Sequence, residues 1–406
     1  MAAPPPSTDA TSSSPKPCAK CKSSPSTLES RSKPVCQDCF QKFISNKLIR
    51  HITLLGKQIP PYPTRRYALG LSFGVSSSVL LSLLAENVEH NIRQGRKLPF
   101  ELVVVHVAQS LPGEKAEETE KAVEEILQSY REKYPRFEFI ISHITLPSPN
   151  GEETSSINFA TLSPASREDL LRILTRQALI RAAKEKECRV LLVGHSTTAI
   201  AEMTLAEAAK GRGRGVSWLV RDGEAYEEGD EEEEGESQPD GDGTKRTVTK
   251  KKLLIHHPLR ETLRHELSTY ARLFSVHVGD RSFIPIDPSK SQTKQPAVVS
   301  HRSLSIEDVM TRYFADVELQ YPSIVANVAR TTGKLLRAGE ESFTPAATTQ
   351  SQSDGKGKSL EKCRICRMVL DEEGDERWNG EVGSIEGEDG VGRKGLCYGC
   401  RSALLG

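Results

Sequence analysis

Short apolar runs alternate along the chain with longer stretches in which apolar residues recur at helical spacing. "ELVVVHVA", Glu101 to Ala108, is a continuous apolar run of the kind that forms a strand buried on both faces. Arg66 to Leu71, "FEFIISHI" from Phe137, and "RVLLVG", Arg189 to Gly194, also read as strands. Helices are predicted between and after them, over Ser78 to Ile92, Glu114 to Tyr134, Arg167 to Glu187 and roughly Thr198 to Lys210. "KLLIHHPLRETLRHELSTYARLF" is a strand entering a helix, and Ser305 to Arg337 reads as one or two more helices. This alternation predicts an α/β fold: a parallel sheet with helices on both faces, carrying ligands at the carboxyl ends of its strands.

Composition adds the surroundings of that core. The 406 residues suffice for two or more domains, and 36% hydrophobic with 27% charged residues suits a soluble protein carrying some disordered length. "MAAPPPSTDATSSSPKP" lacks the charged start and apolar core of a secretory signal, and no stretch approaches the roughly 20 apolar residues needed to cross a bilayer. A cytosolic or nuclear protein without a membrane partner is expected. The formal net charge is zero, yet Asp222 to Asp242 holds twelve carboxylates and no Lys or Arg. The remainder therefore carries 55 basic against 43 acidic residues, which suits an anionic partner such as nucleic acid, although charge alone more often marks a solvated surface. "GRGRG" from Gly211 and "KRTVTKKK" from Lys245 are candidate phosphate contacts or, equally, parts of a mobile loop.

Eight of nine cysteines form two sets. Cys18, Cys21, Cys36 and Cys39 have the form C-x2-C-x14-C-x2-C, and Cys363, Cys366, Cys397 and Cys400 the form C-x2-C-x30-C-x2-C. Two thiolates three positions apart grip one ion from a tight turn, and a second such knuckle completes a tetrahedron. Structural zinc, two ions in all, fits best, against disulfides, unconnected thiols or an iron-sulfur cluster. The spacing leaves open which pairs close on one ion, because the two ends could meet in space. Cys188, at the start of a buried strand, reads as core.

The loop after the first long strand, "LSFGVSS", resembles the PP-loop S-G-G-x-D-S of ATP pyrophosphatases that adenylate a carbonyl, with Ser72, Gly74 and Ser77 kept. Phe73 replaces the first Gly, adding bulk where backbone would approach phosphate, and Ser76 replaces the Asp that serves the magnesium nucleotide. "GHSTTAIAEMTL" is similar to the G-H-N-A-D-D-x-A-E-T segment of PP-loop tRNA thiolases, keeping Gly194, His195, Ala201 and Glu202 but placing Thr198 and Ala199 at the two aspartates. "LLRILTRQAL" resembles the thiolase stretch C-x-x-C-G-V-L-R-R-Q-A-L, with Glu168 and Leu171 at the cysteine positions. His195, ending a buried strand, is expected to be structural.

The losses fall on groups the reaction needs while small and apolar neighbours persist. With the "GRG" after the Gly-His segment and "PLR" at Pro258 to Arg260, the chain resembles the cytoplasmic tRNA 2-thiolation protein 2 family, the degenerate PP-loop subunit of the tRNA wobble-uridine thiolation complex. The resemblance implies a non-catalytic, cytoplasmic subunit working with an active PP-loop thiolase that supplies the ATP and magnesium site. It also implies tRNA as a partner and, indirectly, a ubiquitin-like sulfur carrier. Expected nucleotide-loop residues are Ser72, Gly74, Ser76 and Ser77, with no catalytic residue. Expected tRNA contacts are Lys210, Arg212, Arg214, Lys250, Lys251 and Lys252. The expected organisation is a disordered tail (1–17), a zinc module with a helix (18–60), a PP-loop-like domain (61–338) with an acidic insertion (222–250), a linker (339–360) and a second zinc module (361–406). Alternatives are a tRNA-adenylating enzyme with weak PP-loop activity, or a zinc-knuckle adaptor without a tRNA role.

Overall fold

Six strands build one sheet in the order β5-β4-β3-β6-β8-β7. They are β3 (Arg66–Gly70), β4 (Glu101–Ala108), β5 (Glu138–His143), β6 (Val190–Val193), β7 (Gly223–Glu224) and β8 (Leu254–His256). All neighbours are parallel except β7, which pairs antiparallel with β8 at the edge. The computed structural model describes residues 16–59, 65–109, 116–144, 162–225, 252–279, 304–337, 362–370 and 395–405.

Alternating side chains divide the sheet between two layers. Tyr67 and Leu69 of β3 and Leu102 and Val104 of β4 pack with α1 (Gln37–Gln58), α2 (Val75–Arg93), α3 (Ala116–Lys133) and α7 (Arg264–Leu273). Ala68, Val103, Val105, Leu191 and Ile255 face the other way, onto Ala182 and Ala183 of α4 (Pro164–Glu185). Both faces being covered explains why β4 reads as an unbroken apolar run. Next to this body, α5 (Thr197–Ala209) and α6 (Val216–Val220) pack with α8 (Ile306–Gln320) and α9 (Pro322–Thr332) through Ile200, Val216, Val220 and Ala329, and through Ala201, Phe314 and Val325.

The chain reverses direction at the sheet's centre. From β3 it runs outward through β4 to β5, then returns to place β6 on the other side of β3. The crevice between the carboxyl ends of β3 and β6 is thus the switch point where such sheets take ligands. The two loops that line it are Leu71–Gly74 and Gly194–Ser196.

Two end modules complete the fold. A hairpin of β1 (Leu28–Ser30) and β2 (Lys33–Val35) leads into α1 at the first cysteine set. The second set joins residues 362–370 to α10 (Tyr398–Leu405) and packs Ile365, Met368 and Leu396 on Leu170 and Leu174 of α4. The acidic insertion expected from residue 222 begins later than that. Asp222 accepts hydrogen bonds from the His257 amide at 2.8 Å and is 3.0 Å from its Nδ1, and Gly223–Glu224 form β7. Residues 226–250 of the insertion, the whole 339–360 linker and most of the 1–17 tail lie outside the described residues.

Candidate nucleotide loop and four-cysteine sites

The β3-to-α2 loop has a phosphate-loop shape, but its own side chains hold it. Ser77 Oγ donates to the Gly74 carbonyl at 3.0 Å, and Ser72 N donates to Ser77 Oγ at 3.3 Å. Ser72 Oγ lies 3.2 Å from Ser77 Oγ and accepts from Gly74 N at 3.4 Å. Gly74 is the N-cap of α2, whose first turn carries no acidic residue. The helix N-terminus with its unpaired N–H groups therefore opens toward the crevice, the arrangement that favours an anion. Ser76 is half-buried in that first turn and offers a hydroxyl where the resembling motif has a carboxylate.

Phe73 departs from the sequence expectation. Its ring does not obstruct the loop mouth: it is fully buried, with its centroid 4.1 Å from that of His106, to which it stacks, and 5.7 Å from Tyr130. To reach that core the residue adopts φ 60°, the left-handed conformation that a glycine takes without steric cost. His106 is held in turn by a 2.8 Å contact between Nδ1 and the Leu71 carbonyl.

Across the crevice, β6 ends in Gly194. A Cβ there would stand 2.9 Å from Ser77 Cα and 3.0 Å from Ser77 N, so only glycine lets the two loops meet. His195 follows, half-buried beside the fully buried His257, with ring centroids 5.3 Å apart. Burial, then the neighbouring His257 and Arg176, push its ionisation down to about 3, so the imidazole is neutral at physiological pH. Arg176 of α4 donates to the Trp218 carbonyl at 3.0 Å, and burial pushes it down to about 10. His195 Nδ1, His257 Nε2 and Arg176 Nε are buried with no hydrogen-bond partner among the described residues. Sequence reading missed His257, although "IHHP" ends the strand beside β6.

At the positions of the two missing aspartates, Thr198 is occupied by internal bonds. Its Oγ1 donates to Glu318 at 2.6 Å and accepts from Arg264 N at 3.0 Å. Glu318 also accepts from His265 N at 2.7 Å, which ties α5, α7 and α8 together. Retained Glu202 forms an ion pair with Arg264. Of the residues at the missing cysteines, Glu168 pairs with Arg172 at 3.1 Å and Leu171 packs against the second cysteine module.

Each cysteine set closes on itself. The four Sγ atoms of Cys18, Cys21, Cys36 and Cys39 lie within 4.8 Å of one another, and so do those of Cys363, Cys366, Cys397 and Cys400. The Cys21–Cys36 and Cys366–Cys397 sulfurs are 3.8 and 3.7 Å apart. A tetrahedral ion with metal–sulfur bonds of about 2.3 Å requires sulfurs about 3.8 Å apart. The residues thus fit one four-coordinate ion per set. A four-iron cluster gives each thiolate its own iron and would spread the sulfurs further. Without a cation the thiols cannot all ionise: the neighbouring Cys36 sulfur pushes Cys39 up to about 12, and Cys363 raises both Cys366 and Cys400.

The expected phosphate contacts at "GRGRG" are largely committed elsewhere. Lys210 binds Asp169 at 2.5 Å, Glu207 at 2.6 Å and also Glu307. Arg212 binds Asp169 at 2.5 Å and Glu207 at 2.6 Å, and its side chain is only 3% exposed. Two cations inside three carboxylates leave neither a free phosphate contact nor a vacant metal site. The turn is instead a seat for the second cysteine module. A Cβ on Gly399 would lie 2.5 Å from the Lys210 carbonyl and 2.7 Å from Arg212 Cγ, and the Cys400 sulfur reinforces the Arg212 charge. Arg214 is exposed, Lys252 pairs with Glu224 at 3.0 Å, and Lys250 and Lys251 lie outside the described residues.

The switch-point loop, the parallel sheet and the paired cysteine modules define a PP-loop-type α/β protein. The fold is similar to that of the U34-tRNA thiolase NcsA from Methanococcus maripaludis, solved with its 4Fe-4S cluster, at a TM-score of 0.50 and 18% identity over 78% of this chain and 86% of that one. A sequence model described as cytoplasmic tRNA 2-thiolation protein 2 matches residues 305–393. The relative of that name from Sclerotinia sclerotiorum is 31% identical over 77% of this chain and 80% of its own length, and one from Phaeosphaeria nodorum is 28% identical over 95% and 94%. The chain belongs to the cytoplasmic tRNA 2-thiolation protein 2 family. The family's name places its members in the cytoplasm, and among the described residues no helix is long and apolar enough to cross a membrane.

Proposed function

We propose that this chain is a non-catalytic subunit of a complex that 2-thiolates the wobble uridine of cytosolic tRNAs, paired with an active PP-loop thiolase. The observation that carries the reading is Thr198. Where the thiolase pattern has a carboxylate, this hydroxyl is bonded to Glu318 and the Arg264 amide, inside the contact between α5, α7 and α8. Ser76, Ala199, Glu168 and Leu171 complete a set of positions that lack the groups needed to hold a magnesium nucleotide or carry sulfur. Adenylation of the uridine carbonyl makes its oxygen a leaving group. In this reading that step and the ATP belong to the partner, and sulfur arrives from a ubiquitin-like carrier.

This chain contributes tRNA binding and stability to the complex. Ser72, Gly74, Ser76 and Ser77 retain the loop's shape, and the two cysteine sets hold structural zinc, which four closed thiolate ligands suit. The domain limits at 18–60, 61–338 and 361–406 belong to the same reading. Titrating the isolated chain with magnesium ATP tests it: the expected dissociation constant is millimolar or weaker, and micromolar binding would favour the alternative, an adenylating enzyme.

A further inference from the structure

Residues 16–59 contain nine Lys or Arg and two carboxylates, Glu29 and Asp38, a net charge of +7. The whole chain holds 55 charges of each sign, so all other residues together sum to −7. Four thiolates with one divalent ion subtract two charges and leave the module strongly positive.

Three of the nine cations fasten the module to the loop between β8 and α7 and to the first turn of α7. Arg31 donates to Glu266 at 2.8 and 3.1 Å and to the Glu261 carbonyl at 2.8 Å. Lys47 donates to the same carbonyl at 2.5 Å, and Arg50 pairs with the Glu261 carboxylate at 3.3 Å. That loop borders the switch-point crevice, because Thr197 donates from N to the Thr262 carbonyl and from Oγ1 to the Arg260 carbonyl, each at 2.8 Å. The module therefore stands on the same rim as Ser72 to Ser77.

The other six, Lys16, Lys20, Lys22, Lys33, Lys42 and Lys57, are exposed and have no ion-pair partner among the described residues. Three cations converge on one half-buried ring: Lys20, Arg31 and Lys47 lie 5.2, 5.4 and 4.1 Å from the centre of Phe43. Crowding like charges on one face costs stability unless an anion shares it. Arg31 and Lys47 are answered by Glu266, but Lys20 beside the ring and the other exposed lysines of the module are not, and such a basic surface fits the phosphate backbone of RNA.

We infer that the exposed, unpaired lysines of the N-terminal module, Lys20 beside Phe43 together with Lys22 and Lys42, are where this chain takes RNA, gripping backbone phosphates. The inference rests on the tRNA reading above. It moves the contact away from "GRGRG", whose Lys210 and Arg212 are internally paired.

The test measures binding of fluorescent tRNA to the full chain across a salt series, comparing wild type with Lys20→Glu/Lys22→Glu/Lys42→Glu. A control, Arg96→Glu/Lys97→Glu/Lys121→Glu, makes the same charge change at other exposed positions. The first variant should bind at least about tenfold more weakly, with the slope of log K against log salt reduced by about two to three. The control should stay within about twofold of wild type. Melting temperature and metal content report folding, and the Lys→Gln triple, which removes charge without reversing it, should show a smaller loss in the same direction. Wild-type affinity in the first variant, equal loss in the control, or no tRNA binding by wild type each overturns the inference. Loss of thiolase capture with unchanged tRNA affinity overturns it in favour of a protein interface. The thiolation reading fails separately, by persistence of thiolation in cells lacking the chain.

Discussion

His195 sits where a proton is costly to the fold. Its ordinary value of 6.5 is pushed down to about 3, chiefly by burial, so the unfolded chain binds a proton there more readily than the folded one. Its contribution to stability is whole above about pH 6.5 and falls as pH drops toward 3, by at most about 1.4 kcal/mol per pH unit. Melting curves between pH 7 and 4.5 should therefore fall more steeply for wild type than for His195→Asn; parallel curves would contradict a buried neutral imidazole. Phe73 makes a second residue-scale claim. Loss of its buried ring should cost about 3 kcal/mol in Phe73→Ala. Phe73→Gly should be about 1 kcal/mol more stable than Phe73→Ala, reversing their usual order, because φ is 60°. Denaturant unfolding of the two variants decides it. The sequence shows that Phe stands at a glycine position. It does not show that the ring reaches His106, since the strand bearing that histidine lies some thirty residues away along the chain.

Elements were more legible than their contacts. Strand β4 appears over the same residues that its apolar run predicted, and every predicted helix formed within a few residues of its expected ends. Apolar periodicity reports burial directly, so these elements needed no tertiary knowledge. What periodicity cannot report is one element's approach to another. "GRGRG" looked like a phosphate loop because glycine and arginine suit one, yet its turn supports the second cysteine module. Gly399→Ala should loosen that module, because the added methyl meets the Lys210 carbonyl at 2.5 Å. The expected outcome is faster metal loss to a chelator from the second site, with the first site unaffected. At the crevice, Gly194→Ala presses on the backbone of α2 at 2.9 Å and should destabilise the chain by about 1–3 kcal/mol by thermal melting.

On the scale of the whole molecule, two cysteine modules flank a sheet whose switch-point loop carries Ser76 where the resembling motif has an aspartate. The spacing of the cysteines made both modules readable, but their closure within each set needed the positions of the sulfurs. Cys36→Ser should remove about one equivalent of metal and lower the melting temperature, since an incomplete site forfeits folding energy supplied by the ion. The division of labour between this chain and a partner is the central claim. Its most direct test is tRNA mobility in a mercury-containing gel, using cells that lack the chain and cells complemented with wild type or with Ser76→Ala. The retarded, thiolated tRNA should disappear on deletion and return with both complementing forms. Retarded tRNA persisting in the deletion, or Ser76→Ala failing to restore it where wild type succeeds, would contradict the account.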